Sequence, residues 1–120
     1  MPRIRESKNQ MKTNRIAITT NTGLNFILRS EIMYCLSDGS YTHIYLEGGR
    51  KLTVSKNLKE VTAILQDDEF VRIHNSHLIN LNHTCNFINN GYNYVIMSNG
   101  EELAVARNRK KDFLDLFTKL

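Results

Sequence analysis

Apolar and polar positions alternate through most of this chain. Arg15-Ile16-Ala17-Ile18-Thr19, Leu24-Asn25-Phe26-Ile27-Leu28, Ile32-Met33-Tyr34-Cys35-Leu36 and Thr42-His43-Ile44-Tyr45-Leu46 are short runs rich in β-branched and aromatic side chains. Such runs suit the pleated, half-buried surface of a sheet, and each predicts a strand. Between them stand Asn21-Thr22-Gly23, Ser37-Asp38-Gly39-Ser40, Gly48-Gly49, Asn89-Asn90-Gly91 and Asn99-Gly100, all tolerant of positive φ. The last two predict hairpins, one joining Cys85–Ile88 to Tyr92–Met97 and one joining Tyr94–Met97 to Leu103–Ala106. Lys51-Leu52-Thr53-Val54-Ser55 predicts a further strand, paired back through Gly48-Gly49.

Two segments break the alternation. Leu58, Val61, Ile64 and Leu65 recur at helical spacing, Ser55 or Asn57 can cap, and Glu60 follows Asn57 at the capping-box offset, so 57–66 predicts a short helix packed on the sheet. The second begins at Ala106, with Phe113, Leu114, Phe117 and Leu120 as its apolar face. Arg107, Arg109, Lys110 and Lys111 crowd its first turn, where the helix dipole disfavours cations by tenths of a kcal/mol up to ~1. A bound anion would offset that, and phosphate suits a helix start flanked by Arg and Lys. With many short strands, two short helices and only Pro2 as proline, the fold class is mainly β.

At 120 residues, 41% hydrophobic and 23% charged, the chain is sized and composed for one soluble globular domain. Its longest apolar runs are too short for a membrane span, and Met1-Pro2-Arg3-Ile4-Arg5 lacks a signal-peptide core, so a cytoplasmic location is expected. Cys35 and Cys85 have no CxxC partner and are expected to be reduced, half-buried thiols. The formal charge of +4 sits entirely at the start. Residues 1–15 hold five cations against Glu6, while residues 16–120 hold eleven charges of each sign. The first stretch therefore reads as a basic linker or N-terminal arm, and residues 16–120 as the domain. Any surface for a polyanion must arise by segregating charge, with the 107–111 cluster apart from Asp67-Asp68-Glu69 and Glu101-Glu102.

The run Phe70-Val71-Arg72-Ile73-His74-Asn75-Ser76-His77 delivers hydrogen-bonding side chains from a strand into a loop. Asn presents a donor and an acceptor suited to adenine, and Arg pairs bidentately with guanine, each good pair discriminating by ~1–3 kcal/mol. Asn75 and Ser76 also suit a simpler role, capping a short turn, and composition alone favours that role.

Four segments resemble, in order, the LytTR (LytR/AlgR-type) DNA-binding domain. They are Asp38-Gly39-Ser40-Tyr41-Thr42, Ser55-Lys56-Asn57-Leu58-Lys59-Glu60, the run from Phe70 through Asn80-Leu81, and Leu103-Ala104-Val105-Ala106-Arg107 with the following Lys110-Lys111. The resemblance covers roughly residues 16–120. Ser40 and Asn75 depart from the commonest family residues, Asn and Arg, so base preference does not transfer. The resemblance implies an elongated, mostly β domain of antiparallel sheets that reads double-stranded DNA through loops entering successive major grooves. It assigns base reading to Asn75, Arg107, Ser40 and Tyr41. Phosphate contacts fall to His43, Lys56, Asn57, Ser76, Lys110 and Lys111, with Arg72 and His74 supporting the loop. It further implies transcriptional regulation without catalysis or cofactor, two protomers on promoter repeats, and a receiver domain phosphorylated by a histidine kinase. The alternative from another class is a protein-interaction module whose cations meet a partner's carboxylates.

Other chemistries fit less well. His74, His77, His83 and Cys85 are spaced like no common closed zinc site, so no metal is expected. Neither cysteine carries a nucleophile's flanking motif, and no phosphate-cradling glycine loop is present. Tyr41, Tyr45, Tyr92 and Tyr94 could stack on single-stranded bases, but tyrosines in strands ordinarily pack across strands.

Overall fold

The computed structural model describes residues 13–120 except Gln66. The expected arm over residues 1–15 lies outside them as far as residue 12, and Arg15 already belongs to the first strand. Ten strands and two helices follow in the order β1 (Arg15–Thr20), β2 (Gly23–Leu28), β3 (Ile32–Asp38), β4 (Tyr41–Leu46), β5 (Arg50–Val54), α1 (Leu58–Leu65), β6 (Phe70–His74), β7 (His77–Asn80), β8 (Thr84–Asn89), β9 (Asn93–Met97), β10 (Glu102–Ala104) and α2 (Lys110–Leu114). Every pairing is antiparallel. β1 and β2 form a hairpin, β10-β9-β8 a three-stranded sheet, and β5-β4-β3-β7-β6 a five-stranded sheet.

The five-stranded sheet is the middle of three layers, which explains its composition. On one face Ile32, Cys35, Ile44, Leu46, Phe70 and Leu78 pack against Ile18 and Ile27 of the hairpin and Leu58, Val61 and Leu65 of α1. On the other, Met33, Tyr34, Ile73 and Ile79 pack against Val95, Met97 and Leu103 of the smaller sheet and Phe113 of α2. A strand covered on both sides needs apolar residues at odd and even positions alike, as β3 has at Ile32-Met33-Tyr34-Cys35. The layers stack into an elongated body of 55 × 36 × 25 Å.

Local chemistry accounts for several boundaries. The capping box at α1 closes both ways: Glu60 N–H donates to Asn57 Oδ1 and Asn57 N–H donates to Glu60 Oε1, each at 2.9 Å. The predicted strands and both predicted hairpins are present, though β10 stops at Ala104; Val105 N–H still donates to the Asn93 carbonyl at 2.9 Å.

Residues 77–80, to which the sequence pattern assigns no element, form β7, which lies between β3 and β6. Three expectations need correction. The last helix is shorter than its periodicity suggests. Residues 107–109 form a 3-10 turn, α2 ends at Leu114, and Leu120 is fully exposed. Phe117 is 39% exposed and meets the Phe113 ring edge-on, at 5.3 Å between ring centres. Nor is either thiol half-buried: Cys35 is wholly buried, which pushes its pKa to about 12, and Cys85 is exposed. A five-residue helix carries little macrodipole, so the dipole argument for an anion at its start lapses, leaving only the density of cations there.

Candidate nucleic-acid interface

Antiparallel pairing brings four connecting segments to one end of the central sheet. β3 ends and β4 begins there, because Ser37 pairs with Thr42 and Asp38 with Tyr41. β5 ends beside them, Val54 opposite Thr42, and the buried Thr42 hydroxyl donates to the Lys56 carbonyl at 2.7 Å. His77 pairs with both Leu36 and His74, which places the β6–β7 turn at the same end. The chain leaving β10 is pinned alongside by Ala106 N–H, which donates to the Ile73 carbonyl at 2.7 Å.

Strand order then arranges the segments in a row. Lys56 and Asn57 follow the β5 edge, Ser40 and Tyr41 occupy the β3–β4 connection, Asn75 and Ser76 the β6–β7 turn, and Arg107 lies past the β6 edge. Strands lie ~4.8 Å apart, so a five-stranded end is about 20 Å wide.

The Asn75-Ser76 turn is held by its neighbours. Arg72 donates through Nη2 to the Asn75 carbonyl at 2.6 Å, through Nε to the His74 carbonyl at 3.2 Å, and through Nη1 to Thr62 Oγ1 of α1 at 3.4 Å. Ser76 N–H donates to His74 Nδ1 at 3.0 Å, so that nitrogen carries no proton, and the Ser76 carbonyl accepts from Ser37 N–H at 3.0 Å. The His74 and His77 rings stack 4.5 Å apart, and His77 Nδ1 donates to the Ala104 carbonyl at 3.0 Å. The Asn75 side chain, by contrast, is exposed and makes no hydrogen bond among the described residues. Backbone fixed and amide free is the condition for presenting a donor–acceptor pair outward.

Electrostatics at this end is cationic. Arg107 is exposed, and neither it nor Lys56, Arg109 or Lys110 forms an ion pair among the described residues. Lys111 differs: its Nζ donates to Asp115 Oδ2 at 2.8 Å, which raises the lysine pKa and lowers that of the carboxylate. Burial, and then the Arg109 guanidinium, lower the Arg72 pKa. Arg109 thus stands beside the guanidinium that holds the turn; it lay within the basic run singled out in the sequence, without a role of its own.

Other expected contact residues are engaged within the chain. His43 places Nδ1 2.7 Å from Thr53 Oγ1 and Nε2 2.9 Å from Asp38 Oδ2. The Asn57 carbonyl oxygen is taken by the α1 cap, leaving its amide NH2 for another acceptor. Ser40 is exposed, and Tyr41 is 51% exposed at the start of β4. His83 follows the far end of β7 and directs its ring to Ser98 Oγ and the Ser30 carbonyl, so it does not join the His74–His77 pair.

A layered antiparallel β body carrying amide, hydroxyl and cationic side chains on loops at one end has the form of a domain that reads nucleic acid by its loops. The LytTr DNA-binding domain model matches residues 22–118, and the chain belongs to that family. Among solved structures, the chain is similar to the LytTr DNA-binding domain of a protein described as a methyl-accepting/DNA response regulator from Bacillus cereus. The two share 24% identity at a TM-score of 0.73, over 88% of this chain and 97% of that one. That likeness extends to the mainly β, antiparallel fold. Among curated proteins, no sequence matches this chain.

Proposed function

We propose that this domain binds specific double-stranded DNA through the loop end of its central sheet and regulates transcription, without catalysis or cofactor. Asn75 and Arg107 read base edges, assisted by Ser40 and Tyr41. Lys56, Asn57, Ser76 and Lys110 contact phosphate, together with His43 and Lys111 once these exchange their internal partners for DNA. Arg72 and His74 hold the reading turn. The observation that carries this reading is the row itself. A major groove is ~12 Å wide, so a row of about 20 Å spans one groove and the phosphates on its two sides. The amide of Asn75 falls within the row, and cations lie at both ends of it. Half or more of protein–DNA hydrogen bonds go to the backbone and position the few that read sequence, a division that the row permits.

On this reading the chain is the output part of a two-component response regulator, working in the cytoplasm. Two copies share promoter repeats, under a receiver domain phosphorylated by a histidine kinase. Selection of bound sequences from a random double-stranded DNA pool at physiological salt tests the proposal, because non-specific binding is weak there. The expected result is one short motif, recurring about a helical turn away when two copies bind. Recovery of salt-sensitive binding without any motif would overturn it and favour a module that binds acidic protein surfaces.

A further inference from the structure

β2 pairs only with β1, in a register that sets Ala17 opposite Phe26 and Thr19 opposite Leu24. Continued one step past Arg15 and Leu28, the same register sets Asn14 opposite Arg29, and Arg29 N–H donates to the Asn14 carbonyl at 3.0 Å. In an antiparallel pair the bonded positions alternate along each strand. Gly23, Asn25 and Ile27 therefore turn their N–H and C=O groups to β1, while Leu24, Phe26 and Leu28 turn theirs to the open side. The Leu28 N–H is taken there by Glu31 Oε1, at 2.8 Å. Among the described residues, nothing bonds to Leu24 or Phe26 on that side. Their side chains stand on the face of the hairpin away from the buried Ile18 and Ile27, and are 57% and 62% exposed. Charge, proline and bulges are the usual protection of a strand edge. Gly23 through Leu28 holds no charged residue and no proline, and its ladder runs without a bulge.

We propose that this edge pairs with the same edge of a second copy of the chain. A twofold contact sets a strand against itself, so any charge near its centre would meet its own like; an uncharged strand meets no such repulsion. Centred on Asn25, the antiparallel register sets Leu24 opposite the partner's Phe26, and Phe26 opposite the partner's Leu24. Each of these pairs exchanges two backbone bonds, and together they use every free N–H and C=O of Leu24 and Phe26. On one face each leucine then packs against a phenylalanine. On the other the two Asn25 amides meet at the axis, each able to donate and to accept. The two hairpins become one four-stranded sheet, with β2 against β2 at its centre. A six-residue strand pair is smaller than the ~1,200–2,000 Å² of a stable interface, so association is expected only at high protein concentration. The inference stands apart from the DNA reading, which gives β2 no role.

The test follows the full chain, without DNA, by sedimentation equilibrium and by backbone amide resonances from micromolar to millimolar concentration. The expected result is a reversible monomer–dimer equilibrium in which the amides of Leu24 and Phe26 shift most. Asn25 is exposed, so replacing it leaves the remaining resonances in place. Asn25→Lys sets two like charges against each other at the axis and should weaken dimerisation roughly fivefold; Asn25→Asp should do the same. An equimolar mixture of the two variants should associate at least as well as the parent chain, because lysine then faces aspartate. A monomer at every concentration would overturn the proposal and leave the edge to a strand of some other protein. Dimerisation with shifts confined to other elements would overturn it too, as would Asn25 variants that dimerise as well as the parent or fail to associate on mixing.

Discussion

Asn80 is wholly buried, and its amide is used on both sides: Nδ2 donates to the Ile32 carbonyl and Oδ1 accepts from Asn82 N–H, each at 2.9 Å. Asn80→Leu removes both bonds and strands a buried carbonyl, so unfolding in urea should show a loss of about 2–3 kcal/mol. A loss under about 0.5 kcal/mol would mean water replaces the amide at no cost. Asn75 is the same side chain in the opposite situation. Asn75→Ala should leave stability within about 0.5 kcal/mol, while weakening binding to the selected operator by ~1–3 kcal/mol and relaxing one base position. Arg107→Ala should behave likewise; unchanged operator affinity in either variant would remove that residue from the reading set. His77 carries a pH effect. Burial lowers its pKa below 6.5, the stacked His74 and nearby Arg72 act in the same direction, and the Ala104 bond opposes them. Below pH 6.5 the unfolded chain therefore binds more protons than the folded one, and stability falls with acidification until the folded pKa is passed. A His77→Asn variant should show a flatter decline in melting temperature between neutral pH and 5; an identical decline would place the titration elsewhere. The sequence flags Asn75 and Asn80 within one polar run, but which amide is buried depends on β7 lying between two strands.

Elements were legible in proportion to how local their determinants are. The α1 start needs only Asn57, Glu60 and the spacing of Leu58, Val61 and Leu65, all visible in the sequence. Asn57→Ala should accordingly cost about 1 kcal/mol in thermal or urea unfolding, and adding Glu60→Ala should cost less than the sum of the two single changes, since both side chains serve the same cap. A strictly additive double variant would show two independent bonds instead. β7 was hidden because His77 and Asn80 look like loop residues. They are tolerated in an inner strand because each satisfies its polar group inside, on Ala104 and on Ile32. The last helix failed for the complementary reason. Phe113, Leu114, Phe117 and Leu120 are correctly spaced, but only Phe113 is buried in the second core, with Leu114 partly so, and Lys119 Nζ closes the end on the Leu114 carbonyl at 2.6 Å.

For the whole molecule, the distribution of charge sets how binding must respond to salt. Residues 16–120 are neutral overall, so attraction to DNA cannot come from net charge and must come from the few cations at the loop end. If Lys56, Lys110, Lys111 and the neighbouring Arg109 each neutralise one phosphate, the slope of log affinity against log salt is about −3.6 per protomer. That is shallow for a DNA-binding protein, and it makes the contribution of the basic start measurable. Residues 1–12 carry four further cations against Glu6, and contact through them would steepen the slope to about −7. Comparing the full chain with residues 13–120 on the same operator separates the two cases. Equal slopes near −3.6 are expected if the folded loops do all the positioning, and Lys110→Ala should then flatten either form by about one unit while sparing base preference. A slope that halves on truncation would assign the arm to the DNA. A slope near zero in both forms would leave the loop cations without phosphate partners, and the row at the end of the central sheet would then have to serve some other anion.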